Sequence, residues 1–420
     1  MIKDNIKLIS KIRDRFAYVE SCPFQGQRIF FESAGGALTL KSVAETSKFY
    51  AAIPDNPGRQ NPAGQGTQEV IDKAKKDLAI LMNASSGQFF VGESGTELLF
   101  RMIRTACLSA PKGSKVIGSS IEHPASRSAA RRWADITEMD YISVCHDNAT
   151  GMVTAADYNA HMTPDVAVAT ILHASPVTGI RMNVEEIAIA IRSVSPNCCI
   201  IVDGIQHAAH GQIDLQAYNV DGYAISPYKM FSRHGYGVAW ISERLTTTPH
   251  DQLIDAPLIN WEFGTRDTGS YATLSDVVSY FEWLGSEISH ETSRRSLIQA
   301  AGHAIHTYET HLTDRLINGS GNLRGLRELD GITILAGEDN PEREGLVSIF
   351  IEGMKSENVV EKLNVQGIRT HTRKADHYSG NVLLPLNQND CVRISLCHYN
   401  TESEIRKLLA ALAEIVACKR

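Results

Sequence analysis

The sequence predicts an α/β protein, with a mostly parallel sheet in a large lobe and a smaller α+β lobe after it. Three observations carry this expectation. Between about residues 88 and 243, short β-rich runs alternate with helix-length segments. The runs are apolar with little alternation, the pattern of strands buried on both faces. At 420 residues the chain also exceeds the roughly 250–300 over which one hydrophobic core keeps growing, so two lobes are expected.

Taken in order, the stretch MIKDNIKLISKIRDRFAYVES mixes both charge signs at short intervals, which predicts an amphipathic helix. It lacks the apolar run and small-residue cleavage site of a secretory signal, so a cytoplasmic protein is expected. The runs KVIGSS, YISV, DVAVATILHAS, CCIIVDG, GYAIS and GVAWIS are the expected strands, with helices over 124–133 and 183–193 between them. Beyond about residue 275 long helical patterns take over, followed by GLVSIFIEG and a closing helix. That helix opens on a capping box, Thr401 and Glu404, and sets Ile405, Leu408, Leu409, Leu412 and Val416 on one face.

Composition bounds the function. Hydrophobic residues at 43% and charged residues at 21% are the balance of a globular enzyme, and no run of 18 apolar residues predicts a membrane span. A net charge of −7 argues against a general nucleic-acid binder, which needs a basic face. The eight cysteines include the pair Cys198 and Cys199 inside an apolar run and no CxxC, which suits neither a disulfide framework nor a zinc knuckle. His207 and His210 share a helical face, but no acidic residue at a suitable offset accompanies them, so no metal is predicted.

Ligands of an open α/β sheet sit outside the carboxyl ends of its strands, so chemistry is sought just after each run. In GESGTELLF, Ser94 and Glu97 have capping-box spacing, and a helix start there aims the N–H groups of Gly95, Thr96 and Glu97 outward as an anion site. A plain capped helix fits the same residues. His123 leaves the next run beside Pro124, where its flat ring suits stacking on a planar ligand or simple packing. Asp203 ends CCIIVD with Gln206 three residues on; a buried carboxylate needs a cation or strong donors, which a protonated ring nitrogen or a helix start would supply. Lys229 follows GYAIS, three residues after Ser226. A poorly hydrated lysine sheds its proton and attacks aldehydes, whereas a solvated one is a plain loop residue. Together, anion site, stacking ring, acid and amine are the four demands of pyridoxal 5′-phosphate.

From FFESAGGA to VRISLCHYNTESEI the chain resembles the class V branch of fold-type I pyridoxal-phosphate enzymes, the aminotransferase-like group with cysteine desulfurases, selenocysteine lyases and isopenicillin N epimerase. The resemblance implies a mostly parallel seven-stranded sheet in a large cofactor-binding domain, residues 30–275. A smaller α+β domain would follow at 276–420, with residues 1–29 packed against it. By position it implies that Gly95 and Thr96 bind phosphate, His123 stacks, and Asp203 and Gln206 hold the pyridine nitrogen and phenolic oxygen. Ser226 and Lys229 match the Schiff-base segment. Thr265 in EFGT would reach the neighbouring subunit's phosphate, giving a homodimer with shared sites. Arg393 would clamp the substrate α-carboxylate, a bidentate task unsuited to lysine.

Three departures bear on function. Tyr228 replaces the usual histidine before the lysine, as in a cysteine desulfurase-like subgroup, and Pro176 stands where a cofactor-contacting asparagine is common. The segment GIRTHTRKADHYSGNVLLPLNQND contains no cysteine, although a persulfide-forming desulfurase needs one there. Cys391 and Cys397, flanking Arg393, read as buried and inert. His371, Arg373 and His377 in that segment, taken as a loop, are candidates for reading a polar or anionic substrate side chain. The implied activity is lyase-type chemistry on a small amino acid, by elimination or a C–S or C–C bond change. Epimerisation, transamination and a silent cofactor-binding scaffold remain open.

Overall fold

A computed structural model describes residues 2–417; Met1 and residues 418–420, at the ends of the expected first and last segments, lie outside the described residues. Seven strands form the main sheet: β1 (Gln88–Gly92), β2 (Lys115–Ser119), β3 (Asp140–Val144), β4 (Val166–Leu172), β5 (Cys199–Asp203), β6 (Gly222–Ile225) and β7 (Gly237–Ile241). Their spatial order is β1-β7-β6-β5-β4-β2-β3, and only β7 runs antiparallel to its neighbours. Strands β2 to β7 fall on the six expected runs. Strand β1, the apolar QFFVG, was not among them.

Both faces of the sheet are covered. Helices α3 (Gly95–Ser109) and α4 (Pro124–Ile136) press Leu98, Met102, Ala129 and Ala130 onto Val116, Val168 and Ile201. On the opposite face Ile117, Ala169, Ile200 and Val202 meet α5 (Val184–Val194) through Ile187 and Ile191. Neighbours in sequence thus face opposite layers, which is why the runs read as continuously apolar. Each such fully buried aliphatic contributes about 1.5–3 kcal/mol.

Two long helices, α6 (Thr268–Ile288) and α7 (Arg294–Asn318), lead to a second, antiparallel sheet. Its strands β8 (Ile332–Ile334), β9 (Leu346–Ile351), β10 (His371–Lys374) and β11 (Asp390–Ser395) lie in the order β8-β9-β11-β10. The boundary expected after residue 275 falls inside α6, so a continuous helix and no linker carries the chain there. The closing helix α8 (Glu402–Ala417) has the expected capping box: Glu404 N–H donates to Thr401 Oγ1 at 3.2 Å and Thr401 N–H to Glu404 Oε2 at 2.9 Å. Near the N-terminus, α1 (Ile6–Asp14) buries Leu8 and Ile12, its Arg13 donates to Tyr399 O at 2.6 Å and pairs with Glu404 at 3.0 Å, and α2 (Pro62–Leu81) follows ahead of β1. No described helix is long and apolar enough to cross a membrane.

Candidate active site

Because β2, β4, β5 and β6 are parallel, their carboxyl ends share one edge of the sheet, and β1 ends on the same side. Gly95, His123, Ser226 and Lys229 follow these ends, and Asp203 is the last residue of β5. Helix α3 begins at Gly95 with Ser94 Oγ accepting from Glu97 N–H at 3.1 Å. The capping box is only half formed, since Glu97 Oε2 accepts from Glu93 N–H, and Glu97 N–H is consumed by the cap. The outward N–H groups are therefore those of Gly95 and Thr96. A Cβ at Gly95 would stand 2.5 Å from both Ser226 Oγ and Ile205 Cδ1, so only glycine lets the helix start meet the Ser226 hydroxyl. Gly95→Ala is expected to cost about 1–3 kcal/mol of stability, read by urea unfolding, through forced displacement of that cradle.

Asp203 is 2% exposed. Its Oδ1 accepts from Ile205 N–H at 3.1 Å and its Oδ2 from Ser126 Oγ at 3.5 Å, and no cationic side chain pairs with it among the described residues. Burial, eased by these donors and the field of Lys229, pushes its carboxyl up to about 6. Next to it Glu122, fully buried, is pushed up to about 8 by burial and by Asp203, and its Oε2 has no partner. Glu122 was missed in the sequence, although it stands directly before His123.

Lys229 closes the short turn after β6, and its Nζ donates to Gln206 Oε1 at 3.1 Å. Burial and then Arg393 lower its proton affinity, against the pull of Asp203, to about 7. His123 caps α4, its Nδ1 accepting from Ala125 N–H at 3.2 Å. Burial, Lys229, Arg373 and Arg127 hold its ring down to about 3, hence neutral.

The second sheet supplies the opposite wall. Arg393 on β11 is 3% exposed, donates to the Pro176 carbonyl at 3.0 Å, and leaves Nε without a partner. Pro176 therefore contributes through its backbone, which any residue there would retain. His371 and Arg373 lie not in a loop but on β10, opposite Arg393 and Cys391 of β11, and so share the face of Arg393. The alternating polar HTRK hid this strand. His371 is occupied by Glu32, at 3.3 Å, and Arg373 carries no carboxylate partner among the described residues, stacking over Tyr378 at 5.6 Å. His377 is exposed; its carbonyl accepts from Arg127 at 3.3 Å and its ring rests on Tyr378. Tyr228 stacks on His234 with ring centroids 4.3 Å apart. Thr265 lies exposed before α6, outside this cluster in a single protomer. Neither His207 nor His210 stands alone: His207 Nδ1 meets Glu344 at 2.6 Å and His210 Nδ1 meets Glu309 at 2.7 Å, partners far away in sequence.

An open sheet with amine, acid and anion cradle at one edge defines a fold-type I pyridoxal-phosphate protein. The chain belongs to the aminotransferase class-V family, whose model matches residues 29–408. It is 26% identical to a probable cysteine desulfurase of Xylella fastidiosa over 92% of this chain and 90% of that one. To the cysteine desulfurase-like protein ustD of Aspergillus flavus it is 24% identical, over 98% of this chain and 92% of the relative. Among solved structures, the apo cysteine desulfurase of Thermococcus onnurineus NA1 superposes with a TM-score of 0.80 at 20% identity, covering 93% of this chain and 95% of that one. The cysteine desulfurase CsdA of Escherichia coli gives 0.79 at 21% identity, covering 99% and 100%. The family is pyridoxal-phosphate dependent. The residues present fit that cofactor: Asp203 is a buried carboxyl short of a cation, and Gly95 with Ser226 forms a cradle that a single Cβ would fill.

Proposed function

We propose that the protein is a pyridoxal-phosphate-dependent enzyme of lyase type, working at the α and β carbons of a small amino acid without a persulfide-forming cysteine. The observation that carries this reading is geometric: the Lys229 amine, 3.1 Å from Gln206 Oε1, stands at the sheet edge that holds the buried Asp203 carboxyl and within the field of Arg393, whose Nε has no partner. The bound cofactor supplies an aldehyde for an amine and a ring that draws electrons from the substrate α-carbon.

The chain's own residues do the rest. Gly95, Thr96 and Ser226 bind phosphate, joined by Thr265 from a second copy in a homodimer. Asp203 holds a proton at the ring nitrogen, Gln206 faces the phenolic oxygen, and neutral His123 covers the ring and keeps water off it. Arg393 orients the substrate carboxylate through its guanidinium, whose Nε–H has no partner. Lys229 would hold the cofactor aldehyde, and its free amine would take the α-proton as general base, for which a proton affinity near neutrality is suited. His371, Arg373 and His377 read the side chain, Arg373 being the cation available for an anionic group. The protein is expected to act in the cytoplasm.

The absence of persulfide chemistry is supported by two facts. Strand β10 carries no cysteine, and the Cys391 thiol beside Arg393 is buried and pushed up to about 11, leaving almost no thiolate at neutral pH. With small amino acids, sulfinates and dicarboxylates as substrates, mass analysis is expected to find a cleaved product, and Cys391→Ala is expected to retain activity. Deuterium wash-in at the α-carbon without net product, or stoichiometric pyridoxamine phosphate, would replace the lyase reading with racemisation or transamination.

A further inference from the structure

Gln206 joins two titratable side chains. Its Oε1 is 3.1 Å from Lys229 Nζ, and its Nε2 is 3.4 Å from His210 Nε2. His210 Nδ1 lies 2.7 Å from Glu309 Oε2, and Glu309 Oε1 accepts from His398 N–H at 3.1 Å. Gln206, His210 and Glu309 are 5%, 4% and 1% exposed, so water does not substitute for the contacts among these three. An amide has one accepting end and one donating end. With the carbonyl toward Lys229, it accepts from the ammonium, and its NH2 requires the lone pair of a neutral His210. With the amide reversed, the carbonyl requires a proton on His210 Nε2, and the NH2 meets the lone pair of a neutral lysine. Two charged ends would compete for one carbonyl, so the amide favours a charge at one end at a time.

We propose that Lys229 and His210 hold one proton between them across the Gln206 amide, with Glu309 keeping His210 able to receive it. When the Lys229 ammonium gives up its proton, as it would to condense with an aldehyde and release water, His210 takes that proton and becomes the charged member; when His210 returns the proton, Lys229 is charged and His210 neutral. His210, Glu309 and Gln206 are positioning residues in this scheme, acting through the lysine.

The surroundings agree with this. Burial opposes a charge on His210, but Glu309 and Glu344 outweigh it and raise its affinity, while Lys229 lowers it. Of the other groups around Glu309, His398 is held down to about 3 by burial and by His210, and the Cys397 thiol is raised by burial, so neither competes as a charge. His207 is committed to Glu344, and His306, behind them on α7, is lowered by burial.

The inference rests on Lys229 being the cofactor amine, and its test has an arm free of cofactor. The ring signals of His210 in histidine-labelled protein, assigned by their loss in His210→Gln, are titrated by NMR. In Lys229→Met apoprotein, and in wild-type protein whose loading is verified by its visible band, the His210 midpoint is expected about one pH unit or more above that of wild-type apoprotein. That is an approximately tenfold gain in proton affinity, the effect of one hydrogen bond to a charged group. In Gln206→Leu the rise is expected to fall to less than half. An unchanged midpoint in Lys229→Met, or an undiminished rise in Gln206→Leu, overturns the proposal. A missing visible band alone would instead indict the cofactor assignment.

Discussion

Lys229→Ala is expected to bind cofactor without the visible absorbance of a lysine adduct and to lose at least about 10³-fold in turnover, since it removes both the anchoring amine and the general base. The loss is local. Lys229 is half-buried at the end of a short turn whose backbone is held by Ser226 O and Pro227 O, and neither contact involves its side chain. Far-UV circular dichroism of the variant should therefore match the wild type, and an exogenous primary amine should restore part of the rate. Retained turnover with a normal absorbance spectrum would place the chemistry on another residue.

The second large effect concerns Asp203, where function and stability pull in opposite directions. Asp203→Asn is expected to lower turnover by about 10³-fold, because an amide cannot supply the charge that keeps a ring nitrogen protonated, a deficit in the range for breaking a buried ionic pair. The same substitution should stabilise the apoprotein. Burial pushes the folded carboxyl up to about 6 from its ordinary 3.8, so folding favours its protonated form. The unfolded chain then releases the proton first, and the wild type loses stability as pH rises from about 4 to about 6 and stays lower above that. Two pH units correspond to about 3 kcal/mol, with asparagine free of the penalty. Urea unfolding of both apoproteins at pH 8 and at pH 4 measures it: the variant should be the more stable at pH 8 and the difference should shrink to about a fifth at pH 4. Equal stability at both values would mean that the Asp203 carboxylate has a cation the geometry does not contain.

How much of this was legible beforehand follows from how local each signal is. Strands β2 and β4 to β7 announce themselves because a strand buried on both faces must be largely apolar, and the positions of Asp203 and Lys229 then follow from ending such runs. The half-formed cap at Ser94 and the complete one at Thr401 are three-residue signals and were readable as such. Strand β10 was not, because its HTRK sequence faces a polar cleft and carries none of the apolar pattern that marks a strand. The pairings of His210 with Glu309 and of His207 with Glu344 span 99 and 137 residues, and nothing near QHAAH in the chain signals an acid that only folding brings there. Buried carboxyls such as Glu122 were hidden for the same reason: burial is a property of the packed layers, and in the sequence that glutamate is simply polar.

The measurement that bears most directly on the central claim is peptide mapping of the cofactor-loaded protein after borohydride reduction, which fixes any lysine adduct as a stable secondary amine. The account predicts one modified peptide, carrying the reduced cofactor on Lys229 and on no other lysine. A modified peptide elsewhere, or a protein that takes up the cofactor and yields no adduct, would contradict it.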